Sequence, residues 1–425
     1  MRFQVATTFR MKRLLFTAGC LCTLIAAGCA PTTEGTAAVG EAPLTFEADA
    51  RPIIQKSDSV LSRDPKLISE PSGALYALVV HGEGQADQLG VWMSHDGGDT
   101  FHGPVAVSEK GSSVTSHGEN SPSFVYQNGD AVVLWEQRSE GGTDLMFATA
   151  LNWKWKFSAP QKVTSKTDQS INGFSALGAG RSGDVYAVWL DGRDEDNPPG
   201  TFSLYIRRVY SKRDGPGSEV RIAGGVCPCC RPAVAVSDDG KVFVAWRHVF
   251  EGSVRDIVVA RSEDRASFGE PVRVAVDGWV VQGCPHSGPA ILANGEDLWI
   301  SWYSAPEGGQ EGLRVAVSRD AGSSFEPSRI VSGEVRTANH PAFSVLDGQH
   351  VLVVFQGRGP DRDGNWSHQQ PFVVDLSGEG VPLAIGSSNS VKYPALSSAP
   401  GGQLFSAWTE AREPGAVAVL SRGRS

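Results

Sequence analysis

Apolar and polar residues alternate along most of this chain in short runs, with almost no helical spacing. Runs rich in Val, Ile, Phe and Trp are broken by Gly, Asp and Asn, the pattern of strands joined by tight turns. One phrase recurs: a small or polar cluster, Pro, a short apolar run, a Gly/Asp turn, and a second apolar run ending near Trp. Its copies read D-P-K-L-I-S-E-P-S-G-A-L-Y-A-L-V-V (64–80), S-P-S-F-V-Y-Q-N-G-D-A-V-V-L-W (121–135) and N-G-F-S-A-L-G-A-G-R-S-G-D-V-Y-A-V-W (172–189). They continue as R-P-A-V-A-V-S-D-D-G-K-V-F-V-A-W (231–246), G-P-A-I-L-A-N-G-E-D-L-W-I-S-W (288–302), H-P-A-F-S-V-L-D-G-Q-H-V-L-V-V-F (340–355) and Y-P-A-L-S-S-A-P-G-G-Q-L-F-S-A-W (393–408). Each copy predicts a hairpin, and a second pair of short runs lies between copies, as in 313–331.

Four strands per unit, repeated at roughly 50 to 60 residues, predict an all-β chain folded as a β-propeller of four-stranded antiparallel blades. A blade cannot bury both faces alone, so the blades must close into a ring. The last copy is followed by a single run, A-V-A-V-L (416–420). The segment A-R-P-I-I-Q-K (50–56) matches the fourth strands of other units and is expected to complete the last blade. Seven blades are favoured, with six as the alternative.

The turns after some third strands share a further pattern. Ser94 to Phe101 (S-H-D-G-G-D-T-F) and Ser318 to Phe325 (S-R-D-A-G-S-S-F) fit S-x-D-x-G-x-[ST]-[WF], and 262–268 is a shortened copy. In such a turn the Asp carboxylate accepts N–H groups, the Gly takes positive φ and the aromatic packs back. With these Asp-boxes the repeat region resembles the sialidase (neuraminidase) superfamily. That resemblance implies three carboxylate-clamping arginines, a Tyr nucleophile paired with a Glu, and an Asp acid/base. Ser62-Arg63-Asp64-Pro65 resembles the phrase of the first arginine, with Ser in place of an aromatic. Tyr393-Pro394-Ala395-Leu396 resembles the nucleophile phrase, and Asp191 is the candidate acid/base. Where the family carries its Glu, this chain has Arg231, beside a Cys-Pro-Cys-Cys insertion foreign to the pattern.

In a propeller the loops entering first strands and leaving second strands open on one face. That face collects candidate ligand-binding residues Arg193, Arg231, Arg247, Arg358, Arg412, Glu119 and His340. It also collects Cys227, Cys229, Cys230, Cys284, His286 and His248. Loop polarity explains Asn and Asp but not clustered Cys and His. The cysteines read as disulfides stapling adjacent blades, as ligands of a soft metal such as Cu or Zn, or as a redox or nucleophilic thiol. C-x-C-C with a distant C-x-H is not the paired spacing of a zinc ribbon.

The N-terminus sets the compartment. Arg2, Arg10, Lys12 and Arg13 precede an apolar run, 14–28, too short to span a bilayer. It ends at Ala26-Ala27-Gly28-Cys29, which resembles a lipobox and implies lipidation of Cys29. The expected organisation is a lipoprotein signal peptide at 1–28, a flexible tether at 29–46 rich in Thr, Ala and Gly, and the propeller at 47–425. The formal charge of -9 without a basic block excludes nucleic acid as a partner. The favoured expectation is a cell-envelope lipoprotein, attached to a membrane through its lipid alone, that binds a small-molecule, glycan or metal ligand on the strand-entry face. Alternatives are an exo-α-sialidase or related glycoside hydrolase, and a scaffold for a protein partner.

Overall fold

A computed structural model describes residues 44–425 apart from 55–60, 83–85, 128, 141, 153, 166–171, 361–367, 379, 387–389 and 413–414. The signal segment, Cys29 and most of the tether lie outside the described residues. The fold is all-β; one three-residue 3-10 turn, Glu251–Ser253, interrupts it. No helix among the described residues is long and apolar enough to cross a membrane.

Each repeat copy forms its hairpin. In the first unit Leu61–Ser69, Leu75–Gly82, Gln88–Ser94 and His102–Ala106 pair antiparallel in that order. The same order recurs in the sheets at 290–330 and 336–384. The sheet at 114–162 has a fifth short strand, because its first strand is split into Val114–Thr115 and Ser123–Gln127. The units at 172–226 and 233–273 join as one eight-stranded sheet through a single pair, Val226 with His248. The outer strand Glu219–Val226 reaches the second strand of the next unit, and the Cys227 N–H continues the ladder to the Arg247 carbonyl at 3.0 Å. The cysteine loop therefore starts at a seam between sheets. The last sheet takes its outer strand from the N-terminal region. Arg51 pairs with Leu420 and Pro52 with Val419, and Thr45–Phe46 extends the pairing to Arg424 and Gly423.

Second strands are buried on both faces, as Val185–Asp191 is at every position. Trp135, Trp189, Trp246, Trp302 and Trp408 lie fully buried within these strands, with Phe355 in the equivalent place at 336–384. They fill apolar layers between sheets that are consecutive in the chain. A further layer, including Leu75, Val79, Trp92, Phe405 and Leu420, packs the last sheet against the first. The turn of 94–101 contributes here. Ser94 Oγ accepts the Gly98 N–H at 2.8 Å and Asp96 accepts the Thr100 N–H at 2.9 Å. Gly98 has φ +87°, and a Cβ on it would meet Leu420 at 2.5 Å, so only Gly fits. The turn of 318–325 repeats these bonds.

Candidate functional site

The first strands converge, and four of them carry the same irregularity. Pairing slips between Arg63 and Lys66, Gly173 and Ala176, Asn339 and Ala342, and Lys392 and Ala395. At each slip a non-glycine residue has positive φ: Asp64 at 52°, Phe174 at 50°, His340 at 54° and Tyr393 at 52°. Such backbone is uncommon outside glycine and costs on the order of 1–3 kcal/mol per residue. Bulges of this kind re-aim side chains next to functional sites. Three of the four precede a Pro, which cannot donate to a ladder and is confined to edges and bulges.

Glu119 ties the convergence together. Its buried carboxylate accepts the Arg231 N–H at 2.8 Å and the Gly288 N–H at 2.7 Å, and it lies 3.1 Å from His340 Nδ1. One carboxylate thus joins loops of four units. The Arg231 guanidinium donates to the Ser175 carbonyl at 2.7 Å, to Ser121 Oγ at 3.0 Å and to Ser123 Oγ at 2.5 Å. Burial brings it down to about 10, against the opposing charges of Glu119, Glu136 and Asp64. Beside it, Glu136 accepts the Phe174 N–H at 3.2 Å.

Lys66, Glu119, Ser121, Arg231, Gly288, His340 and Tyr393 line a cavity of about 140 Å³. Lys66 is deeply set yet partly accessible, and burial, with Arg231 next, lowers its ammonium to about 8, while Asp64 pulls the other way. The Tyr393 phenol is pushed above its ordinary range, first by burial and then by the charges of Glu119 and Asp64. No carboxylate hydrogen-bonds its hydroxyl among the described residues; its ring lies 4.6 Å from that of His340.

Burial also raises Glu136 to about 7, against the favourable contacts of Asn120, the Phe174 N–H and Arg231. Between pH 4.5 and 7 the folded chain then keeps a proton that the unfolded chain has released. Stability falls as pH rises through that window, by on the order of 3 kcal/mol from this group. Glu136→Gln keeps the acceptor for Phe174 and removes the titration. Unfolding measured from pH 4.5 to 7.5 is expected to show the variant gaining on wild type with rising pH; a constant difference would refute the assignment.

The other arginines are drawn into separate contacts. Arg63 forms a two-pronged pair with Asp87, at 3.1 and 2.5 Å. Asp191 is fully buried; it accepts the Trp189 indole N–H at 2.9 Å and two donors of Arg193, whose other arm reaches Glu219 at 2.8 Å. Asp191 therefore stands in a closed network, with no contact to Tyr393. Arg247 is fully buried on the carbonyls of Ser287, Arg255 and Tyr303, at 2.9, 2.8 and 2.8 Å. Arg412 is exposed and pairs with Glu410 at 2.8 Å, and Arg358 is exposed. Of the sequence candidates, the cavity gathers Glu119, Arg231, His340 and Tyr393. Lys66 was missed, although a signal existed. The residue after the Pro position is Ser123, Ala176, Ala233, Ala290, Ala342 and Ala395 in the other copies, all paired one residue before the Trp position. Lys66 alone is charged there.

The cysteines form a second focus. Cys227, Cys229 and Cys230 are buried free thiols, with Sγ–Sγ distances of 3.8 Å from Cys227 to Cys229 and 3.4 Å to Cys230. Exposed Cys284 and His286 bring donor atoms within 4.8 Å of one another and of Cys229. Arg255 donates to Cys227 Sγ at 2.9 Å, and the Ser287 N–H points at Cys230 Sγ at 3.4 Å. Contacts with Cys229 and Cys230, then the Arg255 charge, hold Cys227 far below an ordinary thiol. Cys229 is pushed up by Cys227, and Cys230 first by burial. His248 is half-buried against Phe250 at 4.7 Å and belongs to neither donor group. Sequence spacing could not reveal Arg255, which comes from the neighbouring strand Val254–Ser262.

Neither a known protein family nor a curated protein sequence matches the chain. Among solved structures it is similar to an ulvan lyase of a polysaccharide lyase family bound to -[GlcA(1-4)Rha3S]-, at 10% identity over 75% of this chain and 83% of that one, with TM-score 0.51. It is similar to a protein of unknown function from Dyadobacter fermentans at 12% identity, covering 88% and 99%, with TM-score 0.50. A Hadza microbial sialidase is 11% identical over 82% and 73%, with TM-score 0.47. At these identities the first two likenesses concern the fold.

Proposed function

We propose that the chain is a seven-bladed β-propeller whose strand-entry face holds a soft metal ion, Cu(I) or Zn(II), on Cys227, Cys229 and Cys230, with Cys284 and His286 at the rim. In this reading it is exported and anchored through Cys29. Seven repeat copies with equivalent pairing, and a layer packing the last sheet on the first, support the blade count. The observation carrying the metal reading is the sulfur spacing. Thiolates about 2.3 Å from a tetrahedral ion stand about 3.8 Å apart, whereas a disulfide brings two sulfurs to about 2.05 Å. The 3.8 Å separation matches the first arrangement, and the 3.4 Å one lies nearer to it than to a disulfide. Arg255 and the Ser287 N–H supply the outer hydrogen bonds that metal-bound thiolates use.

The test is metal content of the reduced full chain after anaerobic loading with Cu(I) or Zn(II). Wild type is expected to retain metal through gel filtration, and Cys229→Ser/Cys230→Ser to lose it. Retention of neither ion by wild type would refute the proposal. Arg255→Met is expected to keep the ligands and weaken metal affinity by about 10–100-fold, read by chelator competition.

A further inference from the structure

We propose that the cavity at the convergence of the first strands binds a small protonated oxyanion, namely hydrogen phosphate, through Lys66, Tyr393 and His340. The carboxylates around it are already engaged. Glu119 serves Arg231, Gly288 and His340, and Asp64 contacts Ser116 and Arg63. Three of the five Arg231 N–H donors, one on each nitrogen, go to Ser121, Ser123 and Ser175. Three polar atoms lining the cavity have no hydrogen-bond partner among the described residues: Lys66 Nζ, Tyr393 Oη and His340 Nε2. Two are donors. The third is an acceptor in the neutral ring, because the Glu119 carboxylate on Nδ1 holds the ring proton there. Two donors and one acceptor suit an anion that carries both bare oxygens and an O–H.

Size narrows the choice. A volume of about 140 Å³ has room for roughly five waters at about 30 Å³ each. That is below the roughly 300–1,000 Å³ of sites for drug-sized ligands, so the fit is to a free ion. Strain points the same way: His340 and Tyr393 are both aimed into the cavity by positive-φ backbone, a conformation that persists where the surroundings impose it. Tyr393 Oη also approaches Gly118, where a Cβ would lie 3.4 Å from it. Binding is linked to protons. Lys66 faces Asp64, Glu119, Arg231, His340 and Tyr393, with Glu136 behind Arg231. An anion beside it would restore its charge, so binding at about pH 8.5 should take up a proton.

The experiment is calorimetric titration of the full chain with inorganic phosphate, in two buffers of different ionisation enthalpy at about pH 8.5. Expected are phosphate binding with proton uptake, and sulfate, which has no O–H to give, weaker by about tenfold or more. Glucose 6-phosphate, the same group on a sugar, should bind no better than phosphate. Lys66→Ala restores the residue type of the other copies and should fold normally while losing about 10- to 100-fold in affinity; Tyr393→Phe should lose about tenfold. Four outcomes would overturn the proposal: no binding at about 10 mM phosphate, unchanged affinity in Lys66→Ala, sulfate binding as tightly as phosphate, or tighter binding of the sugar phosphate. Metal content plays no part in this titration, so its result is independent of the thiolate centre.

Discussion

Arg231→Ala is expected to lower the unfolding free energy by about 3–5 kcal/mol, the range for removing one partner of a buried charge cluster. The guanidinium faces Glu119, Glu136 and Asp64 and joins three units through Ser121, Ser123 and the Ser175 carbonyl. Burial costs it more than those carboxylates return, as its fall to about 10 shows. Deleting it does not recover that cost. It removes the positive charge that Glu119, Glu136 and Asp64 share and leaves a carbonyl and two hydroxyls without their donor. Arg231→Lys keeps the charge but cannot present three donors in a planar fork, so an intermediate loss is expected. Urea unfolding of the three proteins is the measurement. An alanine variant within about 1 kcal/mol of wild type would show that the cluster is balanced by other means.

Glu119→Ala is expected to cost about 2–6 kcal/mol, because it leaves the N–H groups of Arg231 and Gly288 buried without an acceptor, at about 1–3 kcal/mol each. His340 would also lose the group that fixes its tautomer. Glu119→Gln keeps one acceptor oxygen and turns an amide N–H toward a donor, so it should lose roughly half as much. Equal stability of the Ala and Gln variants would mean that the carboxylate contributes by packing and not by hydrogen bonding. Glu119→Ala should also release His340, so that the ring tautomer read from its nitrogen chemical shifts in NMR changes.

The repeat was legible because each hairpin is local: alternating runs, a Gly turn and a Trp at fixed spacing are set by neighbours in the chain. The closing strand was legible for a related reason. Its run, 50–56, resembles other fourth strands, and Arg51 and Pro52 do pair with Leu420 and Val419. Thr45–Phe46 pairs there too, in a segment read as tether, because two residues of pattern are too few to mark a strand.

The polar residues were harder to place. Arg63, Arg193 and Arg247 occupy the expected repeat positions, yet each is spent on a contact invisible in sequence: Asp87, Asp191 with Glu219, and three backbone carbonyls. A repeat position says which loop a residue leaves; it does not say which acceptor the neighbouring unit offers.

The amino-acid sequence by itself determined the all-β fold, the repeat, its Gly turns and the presence of four cysteines with His286 at loops of consecutive units, since these follow from side-chain periodicity and local backbone preference. Only the tertiary structure decided which groups meet. It brought three thiols within 4.8 Å of one another beside Arg255, tied Glu119 and Arg231 into one network, and left Lys66, Tyr393 and His340 facing one cavity. The physical reason is that burial, charge balance and hydrogen-bond satisfaction depend on residues one to several units apart, and those distances exist only once the sheets have packed.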